Sequence, residues 1–382
     1  MFRIPNYNTI SQSCNGTLAT LSSIVKFMPK PMVIIITLIA NLFFGGKLPS
    51  FISTSSLPAI DPITEQISGM TLEEKIRQTF VCSYDGKTLK KALKVLESCG
   101  NIIYSKSNTE GLTENDIFSN NQSIHKQDPL SWIMVDQEGG KVARIKDDSP
   151  SPRKMAEENT VSYWGEQHGR TLKDLGFNVD LAPVADITKN NPVIENRSFS
   201  DDPTIDGVKA SEYLKALQMQ GIVGVIKHLP GHGRVDSDTH KKTGSLNYSW
   251  EEIKNFDLIP FIDTINNGAR IVMIGHIVIP ELDKKPASIS YIVLDKLRSA
   301  LPSGNDLIFL TDSLSMSGVG IPQDQAAIES LRAGEDMILL QGIDPQPLFQ
   351  KITTAYNSGA LDKTKLDQSV ARILRIKSQF KN

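Results

Sequence analysis

Ser131-Trp-Ile-Met-Val135 passes without a break into Asp136-Gln-Glu-Gly-Gly140. The apolar run is too short for a helix. It does not alternate with polar residues, as expected of a strand buried on both faces of a parallel sheet. Seven other runs repeat the pattern, at 78–82, 101–104, 177–181, 223–226, 270–274, 307–310 and 335–340. Amphipathic stretches lie between them, among them 89–96, 208–220 and 250–266. Strand and helix alternating eight times imply parallel pairing with crossover helices. The count favours an α/β fold of the closed (β/α)8, TIM-type barrel over an open sheet. No Gly-x-Gly-x-x-Gly follows an early strand, so a dinucleotide domain is not supported. The tail 361–379 carries the stripe Leu366, Val370, Ile373, Leu374 and Ile376 and reads as a closing helix.

Composition sets the outer limits. The 382 residues are 40% hydrophobic and 22% charged, ordinary globular values, with 41 Lys+Arg against 43 Asp+Glu. A net charge of −2 leaves no basic excess for displacing phosphate counterions, so nucleic acid is not an expected partner. Cys14, Cys82 and Cys99 form an odd, sparse set without a C-x-x-C pair. They suit neither a disulfide framework nor a zinc site, and Cys82 and Cys99 are expected to fill a core.

Residues 1–50 differ from the rest. Lys26 and Lys30 precede an apolar segment at 32–44, which is shorter than a bilayer-spanning helix requires. An export signal or uncleaved anchor fits it, with Met28 as a possible start; a short buried or interfacial segment is the alternative. The expected location is therefore the cell envelope, with membrane association through 32–44, or else the cytoplasm. Residues 51–64 read as a linker and 65–382 as one catalytic domain.

In a barrel of this type chemistry sits at the carboxyl ends of the strands. The third strand leads to Asp136 and Glu138, with Arg144 beyond; the fourth leads to Asp186, with Glu195 and Arg197 in its loop. The fifth leads to Lys227, His228 and His232, then Asp236, Asp238 and His240. His276 ends the sixth, and Asp312 and Ser313 end the seventh. Helix caps and turns explain any one of these residues, but not their collection at one end. Pro230 and Gly231 separate His228 from His232 and rule out a helical zinc pair, so neither metal nor cofactor is expected.

These segments resemble glycoside hydrolase family three. The resemblance lies in Asp136-Gln-Glu-Gly-Gly-Lys-Val-Ala-Arg144, Lys227-His-Leu-Pro-Gly-His-Gly233, Asp238-Thr-His240, Thr311-Asp-Ser-Leu-Ser-Met316 and Ala333-Gly-Glu-Asp-Met337, and it spans about residues 65–380. It is to the single-domain bacterial β-N-acetylglucosaminidases in particular. It implies a retaining exo-glycosidase that removes terminal β-linked N-acetylglucosamine, with cell-wall fragments as the source. Asp312 would be the nucleophile and His240 the acid/base, oriented by Asp238. Asp136, Arg144, Arg197, Lys227, His228 and His276 would bind the sugar. Glu138 and Asp186 are expected to brace loops, His232 to contact sugar or stabilise a turn, and His168, on a helix expected at 164–175, to pack. The loop 231–244 has few large apolar residues and is expected to be mobile, bringing His240 in when sugar binds.

Leu229, Gly244 and Ser313 depart from the family pattern without removing a named role. Same-fold alternatives are a phosphorylase, since a neutral imidazole base tolerates phosphate, and a β-glucosidase. A membrane-tethered sugar binder that has lost catalysis is disfavoured by the presence of Asp312, Asp238 and His240. Nothing in the chain obliges a dimer, and a monomer is expected.

Overall fold

The apolar runs pair edge to edge in chain order. The computed structural model describes residues 61–187, 191–235 and 237–380. The leader 1–50, its apolar segment 32–44, linker residues 51–60 and Asp236 lie outside the described residues. Within the compact unit 63–382, the strands are β1 (Phe80–Cys82), β2 (Asn101–Tyr104), β3 (Trp132–Val135), β4 (Val179–Asp180), β5 (Val223–Leu229), β6 (Ile271–Ile274), β7 (Ile308–Ser313) and β8 (Met337–Leu340). All eight are parallel, and β8 pairs with β1 to close the barrel.

Both faces of the strands are buried, which explains their unbroken apolar character. Val81, Ile103, Met134, Val179, Val225, Met273, Leu310 and Leu339 fill the interior. Their neighbours Ile102, Ile133, Ile226, Val272 and Phe309 face the surrounding helices. Ile373 and Ile376 from the helix Lys363–Gln379 join the interior cluster, so this last helix contributes directly to the barrel core. Among the described residues, no helix is long and apolar enough to cross a membrane.

Three local features depart from the sequence reading. β5 and β7 extend past their apolar runs to Leu229 and Ser313, and each has a register shift, between Ile226 and Leu229 and between Leu310 and Ser313. Lys227, His228 and Asp312 therefore lie on strand ends rather than in the loops beyond, and bulges commonly re-aim side chains in this way. The helix expected over 250–266 is two helices, Trp250–Asn255 and Ile259–Asn266. Pro260 has no N–H to continue the first, and Asp257, in the break, turns inward to Arg234. Finally, Cys82 and Cys99 do occupy the core, but as a disulfide, with Cα atoms 6.1 Å apart. Cys82 ends β1 and Cys99 lies two residues before β2, so neighbouring strands bring them together.

At the opposite end of the barrel, Asp336 accepts hydrogen bonds from Arg298, Arg372, Ser369 and the Phe309 N–H. Its neighbour Glu335 is buried with neither carboxylate oxygen partnered. Burial raises the Glu335 pKa well above the ordinary range; Arg298 opposes the rise and Asp336 adds to it.

Two predictions follow from these groups. Reducing the disulfide, which closes a separation of 17 residues, should lower stability by about 3 kcal/mol. Denaturant titration with and without reductant measures this, and an intact mass unchanged on reduction would exclude the bond. Glu335→Met should stabilise the protein at neutral pH by about 1–3 kcal/mol. Because the folded state keeps the Glu335 proton where the unfolded chain has lost it, wild-type stability falls as pH rises through the ordinary glutamate range. The advantage of Glu335→Met should therefore be larger at pH 7 than at pH 4 in urea melts.

Candidate active site

A pocket of about 600 Å³ opens at the carboxyl ends of the strands. Asp136, Arg144, Arg197, Lys227, His228, His240 and Asp312 line it, contributed by strand ends and loops far apart in the sequence. Seven of the nine site residues expected from sequence therefore meet at one surface. Asp238 lies behind His240, and His276 is fully buried away from the pocket.

The charge cluster on one wall is built around Glu138. Its side chain is 1% exposed. Arg197 donates to both of its oxygens at 2.8 Å, and the Lys227 ammonium lies 2.6 Å from Oε1. Lys227 also donates to Asp136 at 2.7 Å, and Arg144 approaches Asp136 at 3.6 Å. Burial alone would raise the Glu138 pKa, but Arg197 and Lys227 hold it far below the usual range. Burial likewise works against a charged Lys227, and Asp136 and Glu138 outweigh it, so the amine stays protonated. Gly139 fixes the approach: its φ is +99°, and a Cβ there would come within 2.5 Å of the Met155 side chain and 2.7 Å of the Pro150 carbonyl.

Asp186 organises the next wall. Fully buried, it accepts from the His228 ring at 2.7 Å, from the His228 N–H at 3.1 Å and from the His232 N–H at 2.6 Å. Burial would raise its pKa, and the two histidines lower it. The bond to Nδ1 fixes the His228 ring while its side chain lines the pocket. The Lys227–His228 peptide is cis.

Asp312 is partly exposed at the pocket. Its Oδ1 accepts the Ser313 N–H at 2.7 Å. Burial favours the neutral acid, but His228, His276, this N–H and His240 together hold the carboxyl below its ordinary pKa. His276 has a different place from the sugar contact expected of it. Its ring is 0% exposed, with Nδ1 paired to Ser288 Oγ at 2.7 Å and Nε2 to the Ser313 carbonyl at 2.9 Å. With both nitrogens engaged, it braces the strand end that carries Asp312.

His240 is on an exposed turn. Its Nδ1 lies 2.9 Å from Asp238 Oδ1, and its own N–H donates to the same oxygen at 3.0 Å. The loop that carries it is more firmly held than its composition suggests. Arg234 pairs with Asp257 and stacks between Tyr248 and Phe256. Val235 and Thr239 are buried, and Gly244 begins a short strand paired with Ile277. Among the loop's described residues, the exposed ones are those of the tip, residues 240–243. His168 is buried between Asp147 and Tyr213, a packing position.

The glycosyl hydrolase family 3 N-terminal domain matches residues 71–376. The chain belongs to this family. It is a glycoside hydrolase. Beta-hexosaminidase LpqI of Mycobacterium tuberculosis is 30% identical over 266 residues, covering 65% of this chain and 68% of that protein. The solved structure of M. tuberculosis LpqI matches with a TM-score of 0.75 at 27% identity, over 84% of this chain and 96% of that one. A family 3 β-N-acetylglucosaminidase from Paenibacillus sp. str. FPU-7 gives a TM-score of 0.76 at 25% identity, over 81% of this chain and 63% of that one.

The three departures from the family 3 pattern occupy distinct local settings. A Cβ at Gly244 would lie 2.4 Å from Val235. Leu229 is fully buried on β5. Ser313 pairs with Ser315 Oγ at 2.8 Å, leaving Asp312 without a neighbouring carboxylate at that position. Glu138→Gln should strip compensation from two buried cations and destabilise the fold by about 3–5 kcal/mol, read as a lowered midpoint in chemical denaturation. An unchanged midpoint would remove Glu138 as the centre of the cluster.

Proposed function

We propose that this glycoside hydrolase removes terminal β-linked N-acetylglucosamine by retaining, double-displacement chemistry. Asp312 acts as nucleophile and His240 as acid/base, with Asp238 as its orienting partner. One observation carries the reading: an aspartate held ionised on a rigid strand end shares a pocket with a histidine whose Nδ1 is already bound to a carboxylate. Asp312 attacks the anomeric carbon as the glycosidic C–O bond breaks, and His240 Nε2 gives its proton to the leaving oxygen. The neutral imidazole then takes a proton from the water that releases the sugar from Asp312.

Asp136, Arg144, Arg197, Lys227 and His228 bind the sugar ring in this reading. Lys227 uses protons on Asp136 and Glu138 and has a third for a hydroxyl. The names of the relatives, beta-hexosaminidase and β-N-acetylglucosaminidase, support an N-acetylhexosamine at the bond cleaved. Cell-wall fragments are the proposed source, and the core disulfide supports an oxidising compartment outside the cytosol.

The test uses aryl β-N-acetylglucosaminides and β-glucosides, with and without phosphate. Free N-acetylglucosamine should form in both buffers, and the glucoside should be poor. Asp312→Asn should abolish turnover, and a fluorosugar should label Asp312 in the wild type. His240→Ala should slow substrates with poor leaving groups far more than activated ones. Labelling on another side chain would overturn the nucleophile, and a sugar 1-phosphate product would make the enzyme a phosphorylase.

A further inference from the structure

Of the three consecutive residues Asp238, Thr239 and His240, the outer two reach solvent and the middle one does not. The His240 side chain is 60% exposed and that of Asp238 27%, while Thr239 is 1% exposed. The Thr239 hydroxyl lies 2.8 Å from His232 Nε2. His232 is itself tied at its backbone N–H to Asp186, which also orients His228. The Thr239 carbonyl accepts the Gly318 N–H at 2.9 Å. Gly318 belongs to the turn Ser317–Val319, in the loop that follows the strand end carrying Asp312. A Cβ at Gly318 would lie 2.5 Å from that carbonyl oxygen, so the close approach needs glycine.

We infer that Thr239 is a positioning residue: it latches the turn that carries His240 onto the loop that follows Asp312. This rests on the proposed acid/base role of His240. Both hydrogen bonds between His240 and Asp238 lie inside the turn and move with it. They orient the imidazole on its own carboxylate but cannot place the pair relative to Asp312. Among the described residues, Thr239 makes two bonds from the turn to fixed structure, one to the wall built on Asp186 and one to the loop that follows Asp312. Burial lowers the His232 pKa to about 4, against the pull of Asp186. The ring is therefore neutral at working pH, and Nδ1 has no partner. Among the described residues, its one side-chain hydrogen bond is the one to Thr239. Losing the latch should leave Asp312 and the sugar contacts intact and misplace only the proton donor.

That asymmetry supplies the test. Values of kcat/KM are measured for dinitrophenyl, nitrophenyl and phenyl β-N-acetylglucosaminides on wild type, Thr239→Val, Thr239→Ser and His240→Ala. Thr239→Val keeps the hydroxyl's shape but not its hydrogen bond. It should hold the dinitrophenyl substrate within about threefold of wild type and lose at least about tenfold on the phenyl one, the signature of impaired general-acid catalysis. Thr239→Ser should recover the phenyl substrate. Gly318→Ala, which attacks the latch from the other loop, should show the same leaving-group dependence and serves if Thr239→Val does not fold. Equal losses across the series, no loss at all, or failure of Thr239→Ser to rescue would each overturn the latch. If His240→Ala is selective and Thr239→Val is not, only the latch fails. If His240→Ala itself shows no leaving-group dependence, the acid assignment fails and the latch with it.

Discussion

The Glu138 carboxylate makes the rest of the site possible. Lys227 is a long cation brought almost completely out of water and Arg197 one that is largely covered, and taking a charge out of water uncompensated costs several kcal/mol. Glu138 meets both, with two oxygens on the guanidinium and one also on the ammonium. Asp136 takes the second face of Lys227 and lies near Arg144. Three cations against two carboxylates leave this wall with a net positive charge, facing a pocket whose opposite side carries Asp312. A carboxylate buried alone would take up a proton. Asp312 avoids this because imidazoles and the Ser313 N–H favour its ionised form.

Asp186 repeats the device with imidazoles in place of cations. One buried carboxylate fixes a pocket histidine through its ring and the root of the next loop through a backbone N–H. The barrel thus offers two kinds of support. Strand ends give rigid positions, used by Asp312, Lys227 and His228. Loops are held where a side chain reaches back, as Arg234 does to Asp257 and Thr239 to His232, and where their backbone pairs, as Gly244 does with Ile277.

The strands were legible because parallel strands covered on both sides are continuous apolar runs, and all eight fall where those runs lie. The ends of β5 and β7 were not legible. Polar residues enter there, Lys227 and His228 on β5 and Thr311, Asp312 and Ser313 on β7, so the pattern that marks a buried strand stops where the candidate site begins. The break in the helix over 250–266 falls where Asp257 turns to Arg234, a pairing that periodicity does not show, and Pro260 alone also fits the first turn of a continuing helix. The Cys82–Cys99 pair is set by the neighbouring positions of β1 and β2, which spacing along the chain does not reveal. His276 shows the converse error. A polar residue at a strand end reads as a ligand contact, yet Ser288 and the Ser313 carbonyl take both its nitrogens. Thr239 had no signal of its own, since nothing in the sequence marks which of three polar neighbours turns inward.

The different mounting of the two proposed catalytic groups matches what the reaction asks of each. The nucleophile forms and breaks a bond at one carbon and gains nothing from moving, so a strand end braced from behind by His276 suits it. The acid/base must give a proton to a departing group, let that group leave past it, and then meet a water in the vacated place. A group fixed on every side would obstruct the exit it serves. A group on a free loop would have to find its position anew in each half of the reaction, at an entropic cost paid in rate. An exposed turn with a single buried residue at its centre lies between these extremes. In the proposed mechanism the tip would yield to the aglycone while the Thr239 backbone, bonded to Gly318, keeps the return position defined relative to Asp312.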